Sequence, residues 1–383
     1  MKLTIKEIFE NASEAISESN FKKAIDCYKL ILETEPENYT AYLFLGLTYR
    51  RIGKLEEAKK SYQKVIKLKP NLADPYYNLG NIYYSLNKLD EAKENYQKAI
   101  KFKPDFAYAY YNLGNVFFLS KSFYNAKENY EKAIKLKPDY TDAYFNLGNT
   151  LKDLGELDDA ELNFKKVLSF QPKYPMQDSL LQTQKFKKLL LNIKKNNKNK
   201  KNKIYNLSFA NNPFIAHRPV EKNLIKYLYG VESRKFDETS DARYGEGGRC
   251  SLDFDLFDHS SPIIKNLSKD LIELCEKKLN SKIHIFDSFF NILNTSGGTT
   301  PHAHLTEFDR NLKFVNRKYS LVYYVTTGDQ KCSSPGILKL YDPNNEILPK
   351  DGMIVIIPAN QKHSAIYNGK VDRILVGMNF YCL

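Results

Sequence analysis

Cysteine is scarce and poorly placed for any structural use. The five cysteines, Cys27, Cys250, Cys275, Cys332 and Cys382, are odd in number, widely spread and without a CxxC pair. Neither a disulfide framework nor a cysteine zinc site is indicated, and a reducing compartment follows. Long hydrophobic runs are missing as well: nothing approaches the ~20 apolar residues that span a bilayer. Residues 1–14 carry a charged amphipathic helix pattern with no apolar signal centre. These absences exclude disulfide-rich secreted and membrane-spanning classes and predict a soluble, cytoplasmic protein. Histidine is equally sparse, with six residues, none before His217.

What is present is material for two or three domains. The chain has 383 residues, 42% of them hydrophobic and 13% aromatic, enough to bury separate cores. The formal charge of +13 would point to an acidic partner or nucleic acid, but six of the positive charges lie within residues 194–203, which contain only lysine and asparagine. Such a run cannot bury apolar surface, and it reads as a flexible linker over 194–204. Lysines do release counterions from phosphates. The run offers no aromatic on which a base can stack, however, so nucleic acid ranks last among the partners.

Ahead of that run the chain repeats. Prolines at Pro36, Pro70, Pro104, Pro138 and Pro172 are 34 residues apart, and the same step relates Gly46, Gly80, Gly114 and Gly148. It also relates Ala24, Ala58, Ala92, Ala126 and Ala160, and the aromatics Tyr28, Tyr62, Tyr96, Tyr130 and Phe164. This is the period of the tetratricopeptide repeat, a two-helix unit, and residues 3–173 resemble five such repeats. Ala12 takes the glycine's place in the first unit. The small residues let the two helices approach closely, and the proline, with no N–H to give, ends the second helix. Residues 174–193 read as a solvated capping helix, which a stack of repeats needs at its end.

Stacked units make a concave groove lined by their first helices. Three consecutive first helices carry Asn-Leu-Gly-Asn, which puts Asn78 with Asn81, Asn112 with Asn115, and Asn146 with Asn149 on shared faces. A primary amide offers both a donor and an acceptor. A ladder of them can hold the backbone of an extended peptide, as in the nucleocytoplasmic sugar transferases to which this stretch is similar; the plainer alternative is polar surface. Phe44 stands where the second unit would need its asparagine, so the ladder has three rungs.

From residue 205 the periodicity changes. Helices are predicted over 219–229, with Pro219 in the first turn, and over 262–279. Strands are predicted over 283–293, 319–326, 336–341, 353–357 and 373–381, with turn signals at Asp342-Pro343-Asn344-Asn345 and Lys350-Asp351-Gly352. Short strands of this kind suggest an antiparallel sandwich or jelly roll.

Beside the bend Thr295-Ser296-Gly297-Gly298 stands Pro301-His302-Ala303-His304. Residues i and i+2 of a strand point to one side, so His302 and His304 can address one point in space. If His363 arrives on a neighbouring strand, three imidazoles take one face of a metal and leave the opposite positions open. That is a variant of the two-histidine, one-carboxylate triad of non-haem Fe(II). The alternative is that Glu307 or Asp309 reaches back to the metal while His304 stands behind it or meets substrate. His217, His259 and His284 lack such partners and read as ordinary.

The order of pieces from Ser288-Phe289-Phe290-Asn291 through the histidine motif, Ser320-Leu321-Val322-Tyr323-Tyr324, 335–343, 352–358, His363 and 373–381 resembles the double-stranded β-helix oxygenases that use Fe(II) and 2-oxoglutarate, including the prolyl hydroxylases. Within them it is most similar to a bacterial group whose first metal motif reads His-x-His. The resemblance covers residues 280–383 well and 206–279 loosely. It implies that Arg373, ten residues beyond His363, grips the far carboxylate of 2-oxoglutarate with its guanidinium fork. It further implies that Tyr324 donates to the same carboxylate and that Asn291 lies near the cofactor. The insertion 306–318 reads as a substrate lid or as a plain surface loop.

The expectation is an α+β multidomain chain. It comprises tetratricopeptide repeats over 1–173, a capping helix over 174–193, a linker over 194–204 and a double-stranded β-helix (jelly-roll) oxygenase-like domain over 205–383. The resemblance implies a metal-binding oxidoreductase that takes Fe(II), 2-oxoglutarate and O2 and hydroxylates a protein or peptide held in the groove. A small-molecule substrate stays open. A tetratricopeptide adaptor carrying an inactive oxygenase-like domain is the alternative.

Overall fold

The computed structural model describes residues 4–199, 213–236, 247–252, 254–294, 297–341 and 344–383. The chain divides into two compact units, Met1–Leu180 and Leu181–Leu383. No helix among the described residues is long and apolar enough to cross a membrane.

The first unit is five helix pairs. They are α1 (Ile5–Ser17) with α2 (Phe21–Thr34), α3 (Tyr39–Arg51) with α4 (Leu55–Leu68), α5 (Ala73–Ser85) with α6 (Leu89–Phe102), α7 (Ala107–Leu119) with α8 (Phe123–Leu136), and α9 (Thr141–Leu154) with α10 (Leu157–Phe170). Polar side chains start the early helices. Thr4 and Glu7 form a reciprocal cap on α1, and Asn20 and Asn38 accept from the first turns of α2 and α3, satisfying amides that have no partner inside the helix. Each second helix ends two residues ahead of its proline. The repeated glycine has one cause throughout: a Cβ at Gly46, Gly80, Gly114 or Gly148 would come within 2.6 Å of the ring of Tyr62, Tyr96, Tyr130 or Phe164. The pairs close on those rings, which are all nearly or wholly buried.

The helix expected to close the stack behaves differently. It runs as α11 (Gln177–Asn199), beyond the predicted end at 193 and through the first half of the lysine and asparagine run. Residues 194–199 are therefore helical and not linker; the remainder of that expectation, 200–204, lies outside the described residues. Nor is the helix solvated. Phe186, Leu189 and Ile193 are 2%, 0% and 8% exposed, a stripe at i, i+3 and i+7 whose burial is worth ~2 kcal/mol per side chain. Phe186 stacks on Phe308 with centroids 3.7 Å apart and lies 4.8 Å from Phe286. From Leu181 on, this helix belongs to the second unit.

The second unit is built on two antiparallel sheets. The larger has the order β1 (Phe214–His217), β9 (Met353–Pro358), β6 (Lys318–Thr326), β11 (Arg373–Cys382), β4 (Ile283–Leu293), β3 (Gly248–Ser251), β2 (Ser233–Lys235). The smaller has the order β5 (Gly297–His302), β10 (Lys362–Tyr367), β7 (Leu338–Tyr341), β8 (Asn345–Ile347). Residues 295, 296, 342 and 343 of the two expected turns lie outside the described residues.

Alternation along the strands sorts the two faces of the larger sheet. Leu321, Tyr323, Ile354, Ile356, Val376 and Phe380 pack with α12 (Lys222–Gly230) and α13 (Pro262–Leu279). The opposite side chains, Tyr324, Val355 and Ile357, pack with Leu338, Leu340 and Ile347 of the smaller sheet. The sheets thus face each other across an apolar layer, and residues on the inner face are the ones available to a site between them.

Candidate functional site

His302 ends β5 and stands directly opposite His363 in the β5–β10 ladder. His304 lies two residues beyond the strand end, so the i, i+2 rule does not position it. Its backbone N–H instead donates to the Ala359 carbonyl at 2.9 Å, and the Ala359 N–H donates to the Lys318 carbonyl at 2.9 Å. The outcome is nevertheless convergence. Ring centroids are 4.5 Å apart for His302 and His363, 4.9 Å for His302 and His304, and 5.0 Å for His304 and His363. One nitrogen from each ring lies within 4.8 Å of the others, and the Nε2 atoms of His304 and His363 are 3.3 Å apart.

The protonation states suit a cation. His363 Nδ1 is 3.0 Å from the Gln361 carbonyl, which can only accept, so Nδ1 carries the proton and Nε2 presents a lone pair. Burial, reinforced by the neighbouring His302, holds His363 down at about 4, so the ring is neutral at physiological pH. Neutral imidazoles at ~2.1 Å from an ion place adjacent nitrogens ~3.0 Å apart, close to the 3.3 Å separation of His304 and His363. His302 and His304 are half-buried and His363 buried, which leaves the cluster open on one side. Three converging imidazoles with an open side fit a divalent transition metal such as Fe(II).

Neither alternative carboxylate belongs to this cluster. Asp309 is fully buried and committed elsewhere. One oxygen accepts from Lys318 Nζ at 2.9 Å and from the backbone and hydroxyl of Thr306 at 2.7 Å each, and the other accepts from the Tyr381 hydroxyl at 2.6 Å. Glu307 pairs with Arg310 at 2.8 Å. Both begin α14 (Glu307–Asn311), where Phe308 and Asp309 are 0% exposed. The 306–318 insertion is therefore anchored at its start, contrary to a freely opening lid.

Arg373 opens β11, and its side chain is fully buried. The guanidinium donates through Nε and Nη2 to the Thr327 carbonyl at 3.1 Å each, through Nη1 to the Gly336 carbonyl at 2.6 Å, and through Nη2 to the Pro335 carbonyl. It lies 4.6 Å from the Tyr367 ring and 5.9 Å from that of Tyr324. Among the described residues no carboxylate forms an ion pair with it. Burial accordingly pulls its pKa below the usual guanidinium value. Its charge is met by the three backbone carbonyls and, at longer range, by the carboxylate of Asp351. Gly336 adopts φ +69°, and a Cβ there would collide with the guanidinium.

Two further polar groups share the inner face beside it. Tyr324 and Asn291 both stand opposite Leu375, on either side of β11. Burial pushes the Tyr324 phenol up to about 12, so it stays an O–H donor. Asn291 is 5% exposed and its side-chain carbonyl has no hydrogen-bond partner, a rare state for a buried amide. The Asn291 carbonyl calls for a hydrogen-bond donor, whereas the buried Arg373 guanidinium and the neutral Tyr324 O–H suit an anionic oxygen. Three groups around the site carry no sequence signal of their own: Lys318, Tyr367 and Tyr381 sit in apolar strands and acquire meaning only through partners far along the chain.

The groove asparagines turn out to be largely spent on the fold. Asn112 Nδ2 donates to Asn81 Oδ1 at 2.8 Å and Asn146 Nδ2 to Asn115 Oδ1 at 2.9 Å, while Tyr96 and Tyr130 donate to the same two carbonyls at 2.9 and 2.8 Å. Each asparagine–asparagine link ties one repeat to the next, and each tyrosine bond ties the two helices of one repeat. Asn78 has no counterpart to bond, since Leu47 stands 31 residues before it, and it turns back to the Asp74 carbonyl at 2.9 Å. Asn149 lines a cavity of about 340 Å³ with Asn115, Asn146, Tyr84, Tyr111 and Phe118. Asn78 is also buried, so of the six asparagines it is Asn115, Asn146 and Asn149 that line this cavity. The remaining histidines bond outside the cluster, His217 to the Asp351 carbonyl, His259 to Tyr227 and His284 to Asn192.

Comparison with known proteins agrees with the repeats. A TPR repeat model matches residues 46–86, 80–121 and 122–155, and a tetratricopeptide repeat model matches 141–174. Among solved structures, MamA is 32% identical over 45% of this chain and 98% of its own, with a TM-score of 0.40. YrrB, described as a TPR protein with an unusual peptide-binding site, is 26% identical over 42% of this chain and 84% of its own, with a TM-score of 0.39. MamA from Desulfovibrio magneticus RS-1 is 20% identical, covering 45% and 97% with a TM-score of 0.41. No curated protein matches the chain.

Proposed function

Since residues 46–174 match tetratricopeptide repeat models, we propose that these repeats hold a protein or peptide which the second unit oxidises. On this reading Leu181–Leu383 is a double-stranded β-helix (jelly-roll) dioxygenase that uses Fe(II), 2-oxoglutarate and O2, and it works in the cytoplasm. The observation that carries the reading is the convergence of His302, His304 and His363, drawn from two strands and a loop, with nitrogens within 4.8 Å. The pairing of a seven-stranded with a four-stranded antiparallel sheet supports the fold assignment.

When bound, the ferrous ion and 2-oxoglutarate supply the oxidising chemistry, in which the keto acid leaves as succinate and CO2 and a substrate C–H bond gains oxygen. The chain's residues bind and orient. His363 is locked by Gln361 in the tautomer that offers Nε2. His302 and His304 complete one face and leave the other open. Arg373 supplies the positive charge for the far carboxylate and Tyr324 a neutral O–H donor. The larger and smaller sheets exclude bulk water around Arg373, which raises the worth of each of these contacts. Asn149, with Asn115 and Asn146 at the same cavity, bonds the main chain of the captured segment, so that tethering raises its local concentration at the second unit.

The test is turnover. Full-length protein supplied with Fe(II), 2-oxoglutarate and O2 should release succinate, and a protein retained by the repeats should gain the mass of one oxygen atom. His363→Ala should abolish both without loss of partner binding. Partner binding with no succinate from the metal-loaded chain would leave an adaptor and end the enzymatic reading.

A further inference from the structure

His304 is the one member of the histidine cluster not carried by a strand, so its position has to be imposed by something else. We infer that the buried Asp309–Lys318 pair is the positioning device that holds His304 on the metal side of the site. The inference rests on the metal-binding reading above and adds to it residues that touch no ligand.

The argument is one of connectivity. Lys318 is 3% exposed and Asp309 0%, and they meet at 2.9 Å. From Lys318 the path to His304 is two backbone hydrogen bonds of 2.9 Å, Lys318 carbonyl to Ala359 N–H and Ala359 carbonyl to His304 N–H. From Asp309 it runs through the cap on α14, where the carboxylate takes the backbone and hydroxyl of Thr306, two residues beyond His304, at 2.7 Å each. The short segment carrying His304 is therefore held on one side through the backbone of Lys318 and on the other through the carboxylate of Asp309, and the ion pair joins the two. The ion pair is itself fixed by the Tyr381 hydroxyl at 2.6 Å. The Lys318 ammonium also lies 5.4 Å from the Phe286 ring and 5.3 Å from the Tyr381 ring. A stability role alone does not require this arrangement, because a buried pair is commonly no better than apolar residues of similar volume. Fixing the arm of a ligand beyond a strand end is a use that the charges, with their directional bonds, can serve. Partners that orient metal ligands without touching the metal typically set metal affinity by ~10–100-fold.

The experiment uses the full chain and Co(II) alone as probe, followed by the visible absorption of the bound ion, with unfolding monitored on the same samples. Wild type should take up one Co(II), and His363→Ala should abolish it. Asp309→Asn leaves Lys318 buried without a counter-charge and can fail to fold. The informative variant is therefore the double substitution Asp309→Asn with Lys318→Met, which removes both charges. It should unfold cooperatively near wild type yet bind Co(II) ~10–100-fold more weakly, with an altered absorption band. Adding His304→Ala to it should cost nothing beyond His304→Ala alone, since the pair acts only through that ring. Unchanged Co(II) affinity in the folded double variant, or a loss that simply adds to that of His304→Ala, overturns the inference while the metal site stands. Failure of wild type to bind Co(II) removes the site and the inference together.

Discussion

One substitution, made at three equivalent positions, should have opposite signs. Tyr62, Tyr96 and Tyr130 hold the same place in consecutive repeats and are 0%, 0% and 1% exposed. The hydroxyls of Tyr96 and Tyr130 donate to Asn81 and Asn115 at 2.9 and 2.8 Å. The Tyr62 hydroxyl is buried without a partner, because Leu47 occupies the position that Asn81 and Asn115 fill in the later units. Tyrosine to phenylalanine at 96 or 130 deletes a hydrogen bond worth ~1 kcal/mol net and strips a groove amide of one donor, for a loss of ~1–2 kcal/mol. At 62 it deletes only an unsatisfied group whose burial costs ~1–3 kcal/mol, so stability should rise by ~1 kcal/mol. The fifth repeat already carries Phe164 at this position. Because stability in a repeat stack is a sum over units and their interfaces, urea titrations followed by circular dichroism should be paired with amide exchange in the altered repeat. In a Leu47→Asn background, where both Tyr62 and Asn78 regain a partner, Tyr62→Phe should become costly. Equal losses at 62, 96 and 130 would refute this account of how the repeats are tied together.

Two further perturbations address the second unit. Arg373→Ala removes a buried charge partner worth ~3–5 kcal/mol, so 2-oxoglutarate affinity of the metal-loaded protein, read by calorimetry, should fall by roughly two to three decades; unchanged affinity would remove Arg373 from the site. His284 is held by burial, with help from Lys188, at about 4 against an ordinary 6.5. Its folded form therefore binds fewer protons than the unfolded chain, so the stability that depends on its neutrality is complete above pH 6.5 and disappears as pH falls towards 4. At ~1.4 kcal/mol per unit the loss is ~3 kcal/mol. The difference in stability between wild type and His284→Gln should shrink over that window, and a pH-independent difference would contradict the buried, neutral assignment.

The repeats were legible because each unit solves the same packing problem with the same residues: the proline that stops a helix, and the glycine that admits a ring 2.6 Å from where a Cβ would stand. The use of the asparagines was not legible in the same way. Whether an amide is free depends on the residue 31 positions away and on the tyrosine 15 positions on, as Asn81, Asn112 and Tyr96 show. In the second unit the long strands β4, β6 and β11 stood out by their apolar alternation. The strands β2, β3 and β8 are three or four residues long and owe their existence to partners rather than to pattern. The apolar stripe of Phe186, Leu189 and Ile193 was present in the sequence but surrounded by lysines, and only its partner Phe308 reveals it as a packing face. The spacing argument for the histidines assumed a strand running through His304, whereas β5 ends at His302. His304 is set by Ala359, and Asp309, a candidate ligand on sequence grounds, is claimed by Lys318 and Tyr381.

The most direct test of the central claim is iron X-ray absorption on the anaerobic Fe(II)-loaded chain. Scattering from three imidazoles, falling to two in His304→Ala, is the expected result. A shell with one imidazole or none, or a carboxylate ligand that disappears in Glu307→Gln, would contradict the histidine site on which the proposed chemistry stands.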